Sequence, residues 1–350
     1  MDKYRMLDNK LIWHPDILNK WRNKEIFFPL HLDIGATSDC NFRCIHCFYN
    51  YLSHKHRNLP RELLINLMKD ISSVGVRSIF FASQGEPLKN PATPEAISVA
   101  SKSGIDVALS SNGSLFYHEI SKEILPFLKW VRISVLAASK NLYCRLHGTT
   151  EDTWKQTFKN LEDMVKVKRD LKLKTTLGVQ TCLLPENCDD IEALAIHVKN
   201  IGFDYITFRP ISNHPKNTYH VKEDLLVKFK ENLQKAEQII DNKFNVFIRW
   251  NLYQEEKTYS QCLGLPFIAF VNADGGVYTC GCHLDESEYC YGNLYEQSFS
   301  EIWLSKKRME LTKKASETPD FRQCDIICRH HAINKFLWEY SKEPEHVNFI

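Results

Sequence analysis

The sequence predicts an α/β fold: a partial (β/α)6 TIM-like barrel followed by a small C-terminal α+β domain. Three observations carry that expectation. Short apolar, β-branched runs alternate with helical patterns between about residues 30 and 250, the order expected of strand–helix units around a parallel sheet. Beyond that stretch the pattern changes to two strands joined by a tight turn, then to short helices. Six of the 12 cysteines fall in the last 90 residues of the 350.

Taken in order, residues 1–29 form an N-terminal extension and residues 30–254 the barrel core. Strands are expected at LHLDIGA near 31, RSIFFAS (77–83), DVALSS (106–111), WVRISVLA (130–137), KTTLGVQT (174–181) and YITFRPI (205–211). After the first strand, Pro60 suits a first helical turn, Leu63, Leu64, Leu67, Met68 and Ile71 share one face, and Gly75 is a stop. Thr93-Pro94-Glu95 opens the next helix; residues 151–167 and about 222–240 form others. The segment PFIAFVNADGGVYTC (266–280) reads as a hairpin turning at Asp274-Gly275-Gly276. It belongs to a second domain at 255–335, followed by a tail at 336–350.

A net charge of +2 with no long block of one sign leaves no electrostatic footprint for nucleic acid. The basic run Lys166, Lys168, Arg169, Lys172, Lys174 reads as a solvated helix end. The opening residues lack the blocks of a signal peptide, and no window reaches the roughly 18 apolar residues of a membrane span. A cytoplasmic protein is expected. In that reducing compartment thiols stay free, so clustered cysteines point to metal binding.

The stretch SDCNFRCIHCFYN carries Cys40, Cys44 and Cys47 just after the first strand, at the sheet edge where parallel α/β folds gather their chemistry. Three thiolates in C-x3-C-x2-C spacing suit three irons of a 4Fe-4S cube and leave the fourth iron open. Spacing alone also allows a structural zinc with a distant fourth ligand, or unligated cysteines. His46 is expected to point away from the metal. These residues resemble the signature of the radical S-adenosylmethionine (SAM) superfamily, in which SAM occupies the open iron.

Further segments resemble that family in the same order. ASQGEPLKNP (82–91) looks like its SAM-binding Gly-Gly-Glu-Pro loop, with Gln84 replacing the first glycine and Gly85 and Glu86 retained. SSNGS (110–114) resembles the turn that holds Asn112, and Ser134 and Arg145 resemble positions that meet the ribose and carboxylate of SAM. The resemblance covers about residues 30–212.

The C-terminal cysteines resemble the SPASM or twitch extensions of these enzymes, short of the full set for two clusters. One auxiliary 4Fe-4S cluster is therefore expected on Cys262, Cys280, Cys324 and Cys328, with Cys282 or Cys290 as replacement ligands; four such thiols would also suit zinc. His330 and His331 are expected to be solvated or capping. Cys144, Cys182 and Cys188 are expected to pack as small hydrophobes.

The resemblance implies reductive cleavage of SAM to a 5'-deoxyadenosyl radical, with electrons from a low-potential donor such as flavodoxin or ferredoxin. Hydrogen abstraction would then lead to dehydrogenation or epimerisation. Peptide-modifying relatives often carry an N-terminal recognition domain, whereas 39 residues precede Cys40 here. A small polar substrate, with carbohydrates among the candidate types, is expected over the alternative of a peptide-modifying maturase. Gln180, Arg209, His214 and Lys216, at strand ends or in their loops, could face it, with a surface or packing role equally open for each. A noncatalytic iron–sulfur or zinc protein is the alternative of another class; the SAM-loop residues argue against it.

Overall fold

The computed structural model describes residues 10–52, 55–212, 214–221, 225–249, 257–317, 324 and 328–349, with the side chains of 225–227 excepted. Seven strands lie side by side in chain order: β1 (His31–Ile34), β2 (Ser78–Phe81), β3 (Asp106–Ser111), β4 (Trp130–Ser134), β5 (Thr176–Cys182), β6 (Tyr205–Arg209) and β7 (Asn245–Ile248). Every neighbouring pair is parallel. Helix α1 (Pro15–Arg22) precedes them. The connections carry α2 (Arg61–Ser73), α3 (Thr93–Lys102), α4 (His118–Ile124), α5 (Lys140–His147), α6 (Glu151–Asp170), α7 (Ile191–Ile201) and α8 (Leu225–Glu237).

Strand residues alternate faces, and the alternation divides core from cavity. Leu32, Ile79, Val107, Val131, Leu177 and Ile206 are fully buried in one cluster with the apolar stripes of the helices, among them Leu64, Met68 and Ile71 of α2. The sequence pattern yields six of the seven parallel strands. It misses β7, a four-residue strand ending next to Arg249, too short and too polar at its end to show a period.

The remaining elements are β8 (Ile268–Val271), β9 (Gly276–Tyr278), β10 (Cys290–Asn293), α9 (Phe299–Leu304), α10 (Lys306–Glu317) and α11 (His331–Tyr340). β8 runs parallel to β1, pairing Ile268 with His31 through Val271 with Ile34. β9 and β10 continue antiparallel, so one ten-stranded sheet runs β10-β9-β8-β1-β2-β3-β4-β5-β6-β7. The hairpin assigned to a separate small domain thus extends the barrel sheet itself.

Both chain ends pack against this extension. Ile17, Leu18 and Phe27 share an apolar cluster with Phe267 and Leu337, and Trp21 lies 6.4 Å from Phe267 and 6.3 Å from Tyr340 between ring centres. The buried Trp303 indole donates to the Phe27 carbonyl at 2.7 Å. A boundary at 335/336 falls inside α11; one at 254/255 lies outside the described residues. Among the described residues no helix is long and apolar enough to cross a membrane.

Candidate active site

The strand faces turned away from the helices line a cavity of about 980 Å3, with Asp33, Trp130, Arg132, Ser134, Gln180 and Arg209 on its wall. Cys40, Cys44 and Cys47 line it too, on a loop that continues from β1. That loop is fixed by α5. The Arg43 and Ile45 N–H groups donate to the carbonyls of His147 and Leu146 at 3.0 and 3.1 Å, satisfying acceptors that a helix end leaves open.

The three thiols are close enough to act electrostatically on one another. Burial pushes Cys40 up to about 11 and raises Cys44 and Cys47 as well. Thiols so disfavoured as bare thiolates are ionised by metal, which displaces their protons. Among the described residues no three His, Cys, Asp or Glu side chains close on a single ion. In an iron–sulfur cube each thiolate binds its own iron. The donor set and its spacing therefore fit a cluster.

The loop after β2 is pressed against the cysteine loop. Ser83 and Gly85 both hold left-handed backbone, with φ of 87° and 81°. A Cβ at Gly85 would stand 2.4 Å from the Thr37 carbonyl oxygen, so only glycine fits there. Glu86 is buried and its carboxylate accepts from Ser111 Oγ at 2.8 Å, Asn112 N–H at 2.7 Å and Leu88 N–H at 3.3 Å. Burial nonetheless raises its carboxyl to about 7. Asn112 Nδ2 donates to Asn41 Oδ1 at 2.9 Å, and Asn41 Nδ2 to Ser114 Oγ at 2.8 Å. These bonds lace the loops after β1, β2 and β3 into one unit.

The structure gathers Gly85, Glu86, Asn112 and Ser134 around the cavity with the three cysteines. It does not bring Arg145 to the cavity wall. Tyr143, Leu146 and His147 form the buried face of α5, and a residue two positions from His147 on a helix points to the opposite side. Arg145 is exposed.

Cys262, Cys280, Cys324 and Cys328 line the same cavity, and Cys282 joins them. Cys280 is hydrogen-bonded to Cys282, and Cys328 feels Cys262, Cys282 and Cys324. Cys290 stands apart on β10, donating to the Gly292 carbonyl at 3.3 Å. His330 and His331 are both buried rather than solvated. His331 Nδ1 lies 2.9 Å from the Tyr259 hydroxyl, and the His330 Nε2, without a partner among the described residues, belongs to a ring on the cavity wall.

Two residues acquire roles that spacing does not show. His147 Nε2 accepts the Leu136 N–H at 3.1 Å, which leaves the ring proton on Nδ1, 3.3 Å from Cys44 Sγ. Cys182, expected to be inert packing, faces the cavity. Burial works to raise its thiol, but the Arg209 guanidinium and His46 outweigh that and bring it down to about 6. His46 is thus turned toward Cys182. Cys188 does pack inside, donating to the Lys228 carbonyl at 3.4 Å.

Gln180 and Arg209 reach the cavity as expected. His214 is buried and instead joins the two cysteine segments: its ring stacks on Tyr51 at 3.8 Å, and Nε2 donates to the Cys282 carbonyl at 3.1 Å. Lys216 pairs outside with Glu286.

Residues 34–198 match the radical SAM superfamily, and residues 262–329 match SPASM, an iron-sulfur cluster-binding domain. The tungsten-containing aldehyde ferredoxin oxidoreductase cofactor-modifying protein of Pyrococcus furiosus is 24% identical over 79% of this chain and 81% of its own. The AdoMet-dependent heme synthase of Methanosarcina barkeri is 21% identical over 85% and 87%. Streptococcus suis SuiB shares the fold: bound to S-adenosylmethionine it gives a TM-score of 0.66 at 16% identity over 92% of this chain and 76% of its own. With its precursor peptide SuiA it gives 0.66 at 14%, over 91% and 74%.

Proposed function

The chain belongs to the radical SAM superfamily and carries a SPASM domain behind its catalytic core, and from that premise we propose that it abstracts hydrogen from a small polar molecule held inside the barrel, in a dehydrogenation or an epimerisation. It is an enzyme whose cofactors are SAM, a 4Fe-4S cluster and auxiliary iron–sulfur. Cys40, Cys44 and Cys47 would hold the first cluster; Cys262, Cys280, Cys324 and Cys328, with Cys282 beside them, would hold the auxiliary one. When bound, SAM and the reduced cluster supply a 5'-deoxyadenosyl radical.

The chain's own residues position and seclude the reactants. Gly85 lets the loop backbone approach closely, and Glu86 is a positioning residue that ties this loop to Asn112. Ser134 offers a hydroxyl from β4. His214 and Tyr51 stack on one another between the two cysteine segments.

One observation carries the small-molecule reading: both thiol groups open on one cavity whose remaining wall holds Arg132, Gln180 and Arg209. A few guanidinium and amide groups set in an otherwise largely apolar and aromatic wall suit a compact, hydrogen-bonding substrate. The test is 5'-deoxyadenosine formation from SAM by anaerobically reconstituted protein with a strong reductant. The native protein is expected to form it and the Cys44→Ala variant to fall to background; equal turnover by the two would remove Cys44 from the catalytic cluster. Hydrogen transfer into 5'-deoxyadenosine from deuterated small molecules, and none from peptides, would support the substrate class. The reverse would reject it in favour of a maturase.

A further inference from the structure

On the β4–β7 side of the cavity stand three guanidiniums with no carboxylate paired to them among the described residues. Backbone register sets them at two levels. Arg132 is level with Gly178 and Tyr205, and Cys182 with Arg209. Phe208 is level with Ile248, which places Arg209 beside Arg249. The Nε atoms of Arg132, Arg209 and Arg249 are buried and lack a hydrogen-bond partner among the described residues. Arg132 donates to Gln180 Oε1 at 2.8 Å and lies 4.7 Å from the centre of the Trp130 ring.

Three carboxylates line the cavity among the described residues, and none serves these arginines. Asp33 is held by Arg329 at 3.0 Å, Glu86 is engaged by the loop bonds given above, and Glu288 is exposed. Burial, then the charges of Arg132, Arg209 and Arg329, lower Arg249 to about 9. Cys182 offsets one charge. The rest have no counter-charge among the described residues, and an unpaired buried charge is strongly unfavourable. A fold keeps such repulsion where a ligand relieves it.

The thiols of the first loop have a nearer arginine of their own. The charge felt most by Cys40 and Cys47 from an arginine is that of Arg43. The groups acting most on Arg132 and Arg249 are other guanidiniums and Tyr205.

We propose that the substrate carries an oxyanion, a phosphoryl or a carboxylate group, and that Arg132, Arg209 and Arg249 grip it on the β4–β7 side of the cavity. Guanidinium forks match the geometry of both oxyanions. Anchored there, the rest of the molecule extends across the cavity toward the loops after β1 and β2. This deepens the small-molecule reading and rests on it.

The experiment is anaerobic calorimetric titration of the SAM-loaded holoenzyme with pyrophosphate and, separately, citrate, using native protein and the Arg132→Gln and Arg249→Gln variants. At least one probe is expected to bind, to raise the Tm of native protein, and to bind each variant at least tenfold more weakly. Preference for pyrophosphate assigns a phosphoryl group, and preference for citrate a carboxylate. With no probe present, Arg249→Gln is expected to match or exceed the native Tm, because a repelling charge is gone. Should a glutamine variant not fold, Arg249→Lys keeps the charge without the fork and is expected to weaken binding. Failure of both probes to bind, or equal binding by all variants, overturns the proposal. So does a shifted cluster potential in Arg249→Gln with anion binding unchanged. 5'-Deoxyadenosine formation, measured in parallel, separates the two levels: if it persists while anions have no effect, only the anion site fails.

Discussion

His147 shows what a single side chain adds to a thiol ligand. Its ring is neutral, because burial brings its pKa down to about 3, and the Leu136 N–H fixes its proton on the nitrogen facing Cys44. An N–H aimed at a cluster sulfur stabilises the more negative, reduced state. His147→Phe is therefore expected to lower the reduction potential of the cluster at Cys44 and to slow SAM cleavage by a weak donor. It also strands the Leu136 N–H, a cost of about 1–3 kcal/mol. Redox titration followed by electron paramagnetic resonance reads the first effect; an unchanged potential would reduce His147 to packing. The thiols of the first loop were legible because their spacing is local. His147, Cys182, Arg132 and Arg249 were not: each matters through a neighbour on another strand or helix, and only Arg132, a charged residue within an apolar strand, offered a signal.

Elements carry the next part of the argument. The strands of the barrel were legible because each fully buried strand is a β-branched run between turn residues. What each does at the site depends on register. Gly178 illustrates this: a Cβ there would lie 2.0 Å from the Tyr205 ring, so its bare backbone lets the ring cross β5 toward Arg132. The C-terminal cysteine segment is similar. Sequence order left Cys282 and Cys290 as equal substitutes, but Cys290 is tied to β10 while Cys282 sits on the short turn after Cys280, with its carbonyl held by His214. Cys282→Ala is expected to diminish iron at the auxiliary site or shift its spectrum, and Cys290→Ala to leave iron content near native. Metal analysis of the two variants decides the matter, and the opposite pattern would transfer the ligand role to Cys290.

For the molecule as a whole, the sequence suggested a core, an N-terminal extension, a second domain and a C-terminal tail, because the residue pattern changes after about residue 250. The sheet adds that the core and the C-terminal part are continuous. β8 forms a parallel ladder with β1, the strand that delivers the cysteine loop, and Trp303 fastens α9 to Phe27 in the segment leading into that strand. α1 and α11, from opposite ends of the chain, close over Phe267. Side chains of this size contribute roughly 1.5–3 kcal/mol each on full burial, so neither part retains its core if the other is lost. Thermal unfolding of the anaerobic holoenzyme is therefore expected to be one transition, with cluster absorbance and far-ultraviolet circular dichroism lost together. Truncation before β8 would bare the edge of β1 and is expected to give aggregated rather than folded barrel. Two resolved transitions, or a soluble truncated barrel with SAM-cleaving activity, would show instead that the ladder between β1 and β8 is dispensable. Were the coupling as drawn, a ligand held at the arginines and a cluster held by the C-terminal cysteines would stabilise one another through the shared sheet, since each binds only the folded chain.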